Sequence, residues 1–590
     1  MKARASRLGL SPAGAALPAL AGAATAALWA VSRGKWSDAL IDSGREWIVP
    51  DALSRGELLY RDVVYWFGPL TPYFHAALFA IFGSGFGTLV AAGVLASVAC
   101  LGALYGTVVR VAGRREAVLW SALAIPALCF MPNAGGSLLG MGYRIWHAAL
   151  FTLLAAGVAA RRPAGAPRLL AAGALAGLAG LCRTEWGLAA AAAVLLASWR
   201  SSSDRRRFPG EAATAAAGFV GVFGATLAAF LAAAGPRAVL SDGHLLFGKL
   251  PQETRAFLVA FSGVADWRRG LLELLYSAAM WASAALAIEI LALRGRHPNG
   301  RRGAALAGLL LLLAVAAVAG GAAGAVVWSA APAVCAFALA AGLRRRPGPR
   351  GAALSALGLL GLLLSYRRPF HIGDSAYVGP PLLFAFVCAA GLLRLRVARF
   401  GRGSDRRRLS RAFATALVVA VGAAYAARLS HYAAWEGEPI AGTSRMLTAR
   451  PEVAREIEAL ALAVRRGAAA DGGLVVFPEG ELLNFLSGQP NPIRHKLYLP
   501  GYLTEENEGE ILRELDRARP AAVVLWRRPT SEYQRGLFGA DYGRKIRAWI
   551  DANYEVAAFR APGAPARANP RFLLGLRRGS AAAAAYNPAP

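Results

Sequence analysis

The sequence predicts a polytopic α-helical membrane protein with about thirteen transmembrane helices and a small α/β domain at its C-terminal end. Three observations support this fold class. Long apolar tracts recur through most of the chain, basic clusters separate these tracts, and the pattern changes to alternating helices and strands near residue 429.

The apolar tracts have the length of membrane spans. Of the 590 residues, 56% are hydrophobic and only 17% are charged. Apolar blocks of roughly 16–23 residues recur between residues 12–31 and 411–428, and residues 304–343 are long enough for two spans. A helix of this length crosses a bilayer core about 30 Å thick. A soluble chain of this size would instead need charged surface between several separate cores.

The positive charge is concentrated in the membrane part. From residue 431 the chain holds 21 Lys and Arg against 18 Asp and Glu, so +27 of the net +30 lies before that point. Clusters such as residues 110–115, 200–207 and 394–411 fall in every second connection, which is typical of cytoplasmic loops. A nucleic-acid partner is not expected, because its binding surface would place basic and aromatic residues together on a soluble domain.

This charge pattern also predicts the topology. A cytoplasmic N-terminus places residues 32–85 and the C-terminal domain on the periplasmic side of a bacterial inner membrane, with membrane lipids around the spans. The predicted boundaries are residues 1–429 for the transmembrane domain, 430–562 for the periplasmic α/β domain and 563–590 for a disordered tail.

The C-terminal domain shows alternating patterns. Helices are predicted at residues 451–466, 505–517 and 542–553, and strands at residues 473–477, 521–526 and 554–559. This alternation favours parallel strand pairing. Pro478, Glu479, Gly480 and Asn484 are interpreted as turn and cap residues.

The residues best suited to chemistry lie in the loop of residues 32–85. Acidic residues are scarce elsewhere in the membrane part, yet this loop contains Asp38, Asp42, Glu46, Asp51, Glu57 and Asp62. On a helix, Asp42, Arg45 and Glu46 would share one face. A guanidinium beside a carboxylate favours the ionised carboxylate, which suits a general base next to a cation for an anionic leaving group. The alternative is a solvated amphipathic segment on the outer leaflet.

The order of motifs in this loop resembles a known family. After the first span come Asp42-x-x-Arg45, Gly56-Glu57-x-x-Tyr60-Arg61-Asp62 and Gly68-Pro69-Leu70-x-x-Tyr73. This order is similar to the polyprenyl-phosphate-dependent membrane glycosyltransferases of the GT-C fold. The resemblance is greatest to the bacterial group of family 39, the dolichyl-phosphate-mannose protein mannosyltransferase-like enzymes. It covers residues 36–199 through these motifs and residues 473–554 more faintly.

The resemblance implies an inverting transfer from a polyprenyl-phosphate-linked sugar donor to a periplasmic glycan, lipid or protein acceptor. It gives Asp42 the place of the catalytic base, with Asp38 as its rival one turn earlier. It places Arg45 near the donor phosphate, with Glu46 beside it. Tyr60-Arg61-Asp62 and Gly68-Pro69-Leu70 then occupy the place of the family's second loop motif.

Further substrate-binding candidates lie in other outer turns: Tyr143, Arg144, His147, Arg183, Glu185, Arg367, Arg368 and His371. The group at Tyr143 either lines the donor or acceptor site or anchors a span at the interface. Arg183 and Glu185 form either a structural ion pair or part of a lipid-phosphate pocket. Ser43 and Phe67 depart from the related aminoarabinose-transferase pattern, so Arg61 and these further arginines are alternative phosphate contacts.

No cofactor is expected. The five cysteines lie in or beside apolar tracts without metal-ligand spacing, and no glycine-rich loop indicates a nucleotide. A divalent cation is compatible with the carboxylates but is not indicated.

Two rival functions remain open at this point. A secondary transporter or flippase would favour polar residues deep inside several spans and an internal repeat. A non-catalytic scaffold with the same fold would tolerate replacement of Asp42 and Asp38.

Overall fold

The structure is a computed structural model. It describes residues 12–132, 137–161, 165–202, 205–242, 252, 256, 267–293, 330–345, 348–365, 379–400, 403–467, 472–561 and 570–579. By internal contacts the chain divides into two units. The first contains Met1–Ser32, Val94–Ala225 and Ser262–Ala434, and the second contains Arg33–Gly93, Thr226–Phe261 and Trp435–Pro590.

Five helices in the described ranges are long and apolar enough to cross a membrane. They are Phe86–Val111, Arg205–Ala234, Leu275–Leu293, Gly379–Ala398 and Ser404–Ala434. Shorter apolar helices accompany them: Pro18–Ser32, Leu70–Phe82, Tyr143–Ala159, Ala166–Cys182, Ala331–Arg344 and Pro349–Leu364. The total of about thirteen spans stays a prediction, since residues 294–329 lie outside the described part of the chain.

Small residues allow the helices of the first unit to pack closely. Helix Ala166–Cys182 packs against Tyr143–Ala159, Thr184–Ser201 and Phe208–Phe219. A Cβ atom at Gly218 would collide with the backbone of Leu170. Helices Phe208–Phe219 and Ala166–Cys182 therefore approach each other as closely as their main chains allow. Helix packing of this kind depends on the absence of side chains at the contact.

The second unit contains two helices of the first loop, Ser43–Ser54 and Leu70–Phe82. Among the described residues, its C-terminal part has helices Pro451–Gly467, Leu482–Ser487, Glu505–Ala518 and Arg544–Asn553 and six strands. These strands are β1 (Glu438–Pro439), β2 (Thr448–Ala449), β3 (Leu474–Phe477), β4 (Ala522–Trp526), β5 (Tyr554–Phe559) and β6 (Phe572–Arg577).

Strands β3 to β6 form a mixed sheet in the order β3-β4-β6-β5. β3 and β4 are parallel, with helix Glu505–Ala518 between them in sequence, and this helix begins with a capping box of Thr504 and Asn507. Apolar side chains of both strands and of the helix, such as Val475, Ile511 and Val523, share one buried core. The core therefore holds β3, β4 and this helix together.

The observed C-terminal elements coincide with the predicted ones to within two residues, but the pairing differs in part. Among the described strands of this sheet, β3 and β4 pair in parallel, and β6 lies antiparallel between β4 and β5. Residues 572–577 therefore belong to the sheet, although the sequence analysis assigned them to the tail. Phe572, Leu574 and Leu576 are buried, which gives this short segment enough apolar area to join the core.

The division by contacts also differs from the predicted boundaries. Residues 33–93 belong with the C-terminal segment in the second unit, whereas the prediction grouped them with the transmembrane domain. The reason lies in the polar and aromatic contacts of this loop, which join it to the segment after residue 435.

Candidate functional site

Asp42 and Arg45 form an ion pair at the start of the first loop helix. Asp42 precedes helix Ser43–Ser54 with φ 65° and ψ −41°, so it lies just outside the helix that the sequence predicted it to share. The Arg45 guanidinium donates a hydrogen bond to Oδ1 of Asp42. The side chain of Asp42 is 34% exposed and that of Arg45 is 12% exposed. The pair therefore presents a reachable carboxylate beside a mostly buried cation.

The charges around Arg45 keep it protonated. Burial alone lowers the pKa of Arg45, but the nearby Asp42, Tyr502, Glu46 and Glu479 raise this pKa well above its ordinary value. Arg45 is therefore a fixed positive charge within the second unit.

Asp38 has a different, local role. Its Oδ1 accepts hydrogen bonds from the backbone N–H groups of Leu40, at 2.8 Å, and Ile41, at 3.0 Å. A carboxylate that accepts hydrogen bonds from the N–H groups of its own turn stabilises the backbone conformation of that turn. Of the two rival carboxylates, Asp42 is the one paired with Arg45.

Gly44 lets the C-terminal segment approach this pair. A Cβ atom at Gly44 would collide with the backbone of Glu481 and Leu482, so only glycine permits the observed approach. One turn further along, Trp47 packs edge-on against Phe485, with ring centroids 5.1 Å apart. The turn after β3 is thus held directly against the start of the first loop helix.

This approach brings two more carboxyl groups to the site. Glu479 is 1% exposed and forms an ion pair with Arg528, which follows β4. Burial raises the pKa of Glu479 to about 8, with Asp42 and Glu481 adding to the rise and Arg528 and Arg45 opposing it. Carboxyl groups with raised pKa values can exchange protons near neutral pH.

Glu481 is buried as deeply, at 2% exposure. Its Oε2 accepts a hydrogen bond from the backbone N–H of Gly480 at 3.3 Å. Burial raises the pKa of Glu481 to about 7; hydrogen bonds from the backbone and the charge of Arg45 limit the rise, while Asp42 adds to it. Glu481 therefore changes charge close to neutral pH.

A small cavity lies between the first loop helix and the residues around the Gly68-Pro69-Leu70 motif. It is lined by Arg45, Glu46, Val49, Pro50, Tyr65, Thr71, Pro72 and His75, and its volume of about 10 Å³ is room for roughly one water molecule. The first four residues come from the helix after Asp42, and Thr71 and Pro72 follow the Gly68-Pro69-Leu70 motif. Glu46, a predicted site residue, is thus beside Arg45.

The second loop motif is fixed by the C-terminal segment. The guanidinium of Arg494 donates to the carbonyl oxygens of Arg61, at 2.7 Å, and Tyr60, at 3.0 Å. Asp62 binds the side chain of Arg61 at 2.8 Å and accepts the N–H of Leu58 at 2.8 Å. These contacts hold the loop, and Asp62 directs the exposed guanidinium of Arg61.

Several predicted residues belong to the first unit. Tyr143, Arg144 and His147 are buried at the start of helix Tyr143–Ala159. Arg183 and Glu185 form an ion pair, with Nε to Oε1 at 2.7 Å. Arg367, Arg368 and His371 lie outside the described residues. The substrate-binding roles of all these residues stay predictions.

The sequence analysis missed the acidic turn after β3. It interpreted Glu479 as a turn residue, and it did not single out Glu481, Arg528 or Arg494. A usable signal was present, because Pro-Glu-Gly-Glu follows a wholly apolar strand, and polar groups at the carboxyl end of a parallel strand often face a site. Asn484 lies within helix Leu482–Ser487 and does not cap it; its amide instead donates to the carbonyl oxygens of Leu474, at 2.8 Å, and Gln489, at 3.0 Å.

Comparison with known proteins gives similarities at low identity. The chain is similar to ArnT from Cupriavidus metallidurans bound to undecaprenyl phosphate, at 13% identity and a TM-score of 0.45, covering 94% of this chain and 97% of that chain. It is similar to the archaeal oligosaccharyltransferase AglB from Archaeoglobus fulgidus in complex with an inhibitory peptide and a dolichol phosphate. There the identity is 12% and the TM-score 0.46, covering 87% of this chain and 69% of that chain.

The apo form of the Archaeoglobus fulgidus oligosaccharyltransferase is similar at 14% identity and a TM-score of 0.49, with 87% of this chain and 69% of that chain covered. No family model matches the chain, and no curated protein matches it by sequence. Similarities of this size assign neither a family nor a function, so the function is argued from the residues of the site.

Proposed function

We propose that the chain is a membrane glycosyltransferase that moves a sugar from a polyprenyl-phosphate-linked donor to an acceptor, with Asp42 as the general base. The observation that carries the proposal is the Asp42–Arg45 ion pair, a half-buried carboxylate held beside a mostly buried cation. The order of the loop motifs supports the same assignment, because it resembles that of GT-C enzymes of family 39.

The proposed reaction needs few groups. The acceptor oxygen bonds to the anomeric carbon while its proton passes to the carboxylate of Asp42. The bond between the anomeric carbon and the phosphate oxygen breaks, and its electron pair leaves with the polyprenyl phosphate. The positive charge of Arg45 stabilises the departing anion. Attack opposite the leaving group inverts the anomeric centre.

The setting is part of the proposal. We place the protein in a bacterial inner membrane with about thirteen spans, its N-terminus in the cytoplasm and its C-terminal α/β segment in the periplasm. The apolar helices and the basic connections support this arrangement. The exposed guanidinium of Arg61 supplies a further candidate contact for the lipid phosphate.

Replacement of Asp42 tests the proposal. Asp42→Asn keeps the side-chain shape and removes the base, so transfer should fall by at least about 10²-fold. Purified protein is mixed with a lipid extract of cells lacking the chain as donor and with membranes of those cells as acceptor. The polyprenyl phosphate released is measured by mass spectrometry.

The matched control is Asp551→Asn, which removes an exposed carboxylate paired with Arg547 in the same unit. It should release polyprenyl phosphate at the wild-type rate. Wild-type release by a folded Asp42→Asn protein would refute the mechanism. Absence of release by the wild-type protein, together with movement of the lipid-linked sugar across vesicle membranes, would favour a flippase.

A further inference from the structure

The turn after β3 contributes a carboxyl group that the proposed reaction has not used. Glu481 lies against Gly44, and Gly44 stands between Asp42 and Arg45 in the sequence. Its Oε2 accepts from the N–H of Gly480, but its Oε1 is buried and has no hydrogen-bond partner among the described residues. A buried acceptor atom without a partner is costly unless it has a role in another state of the site.

The local charges do not balance. Arg45 pairs with Asp42, and Arg528 pairs with Glu479. In the described part of the chain Glu481 has no ion pair of its own. An ionised carboxylate buried without a cation is unfavourable, so these surroundings favour the neutral form of Glu481.

The groups that face Glu481 come from several elements. Arg45 acts on it from the first loop helix, Asp42 from the position just before this helix, and Glu479 from the same turn as Glu481. Tyr498, from the segment before helix Glu505–Ala518, is a further titratable group, and the charge of Glu481 adds to the rise in the pKa of Tyr498. The cation whose charge acts on Glu481 is Arg45, which already binds Asp42.

We propose that Glu481 is a positioning residue for the proposed transfer reaction, and that its negative charge competes with Asp42 for Arg45 and so makes Asp42 a stronger base. The inference rests on the proposed function. It assigns to the C-terminal segment a direct part in the chemistry of the first loop.

The consequence is a rate that depends on the charge of Glu481. Burial raises the pKa of Glu481 to about 7, so the group is largely neutral at pH 6 and largely ionised at pH 8. General-base catalysis strengthens with the basicity of the base. The rate of transfer should therefore rise between pH 6 and pH 8, by about 3- to 10-fold.

Glu481→Gln tests the proposal, because it resembles the neutral form at every pH. The rate of polyprenyl phosphate release is measured from pH 5.5 to pH 8.5 with the lipid extract described above. The variant should retain the wild-type rate at pH 6 and lose the rise. A rise of wild-type size in Glu481→Gln would overturn the inference and leave the role of Asp42 untouched, since that role is tested separately by Asp42→Asn.

Two control variants test which carboxyl group causes the rise of the transfer rate with pH. Glu506→Gln changes an exposed glutamate of the same segment and should keep the wild-type profile. Glu479→Gln removes the other buried carboxyl, and loss of the rise there but not in Glu481→Gln would overturn the proposal. If Glu481→Gln does not fold, Glu481→Asp keeps an ionisable group and must keep the rise; a flat profile would refute the inference.

Discussion

The two units of the molecule use close approach for different purposes. In the first unit, glycines such as Gly173, Gly187 and Gly218 bring apolar helices together until their backbones touch. In the second unit, Gly44 brings a charged helix start against an acidic turn. The same absence of a side chain therefore produces a packed helix pair in one case and a cluster of ionisable groups in the other.

The surroundings of these glycines explain the difference. Gly218 lies in the apolar helix Phe208–Phe219, where neighbours contribute mainly packing. Gly44 is followed by Arg45 and Glu46 and faces a turn that carries Glu479 and Glu481. A close contact has chemical consequences only where the chain on each side carries polar groups. The first unit is interpreted as a scaffold and the second as the site of the proposed reaction.

The largest expected effect comes from a methyl group at Gly44. In Gly44→Ala the new Cβ meets the backbone of Glu481 and Leu482, which must move away. We expect a loss of about 1–3 kcal/mol in the free energy of unfolding. Transfer should fall by at least about 10²-fold in the protein that remains folded, because displacement of catalytic groups by about 1 Å can have this effect.

Gly218→Ala is the matched variant in the first unit. Its Cβ also meets main-chain atoms, those of Leu170 and Ala174, so its free energy of unfolding should fall by a comparable amount. Its rate per folded molecule should stay close to wild type. Equal losses of rate in the two variants would contradict the distinction between scaffold and site.

The next effect concerns the loop of Tyr60, Arg61 and Asp62. Arg494→Ala removes the guanidinium that donates to two carbonyl oxygens of this loop and to Glu510 at 2.9 Å. Each lost hydrogen bond to a charged group contributes about 1.5–3 kcal/mol. Hydrogen exchange measured by mass spectrometry should therefore increase over residues 58–67.

Arg513→Ala is the control, since this arginine is exposed on helix Glu505–Ala518. It should leave exchange in the loop unchanged. Unaltered exchange in Arg494→Ala would show that the loop does not depend on the C-terminal segment.

Local sequence patterns predicted several of these features well. The apolar tracts and the strands at residues 474–477, 522–526 and 554–559 follow from periodicity alone, because neighbouring residues determine them. The spacing of Asp42 and Arg45 predicted their ion pair, which formed even though Asp42 precedes the helix. Short-range spacing was sufficient for that contact.

Long-range contacts were not predictable in the same way. Nothing near Glu481 in the sequence indicates that it lies against Gly44, more than four hundred residues earlier. Similarly, β6 is flanked by residues rich in Ala, Pro and Arg, and its place between β4 and β5 depends on a sheet formed by distant strands. Pairing across such distances is fixed by the complete core, which no local pattern contains.

The smallest expected effect is that of Asp38→Asn, and it separates the two candidate bases. The side-chain oxygen of asparagine can accept the same N–H groups of Leu40 and Ile41, so the turn should remain. Loss of a charge that has a local structural role should change the rate of transfer by less than about threefold, in contrast to the loss of at least about 10²-fold expected for Asp42→Asn. The comparison requires both proteins at equal folded concentration, with release of polyprenyl phosphate as the measurement. If Asp38→Asn instead lost the larger factor while Asp42→Asn kept its rate, Asp38 would be the base, and the ion pair of Asp42 with Arg45 would be structural.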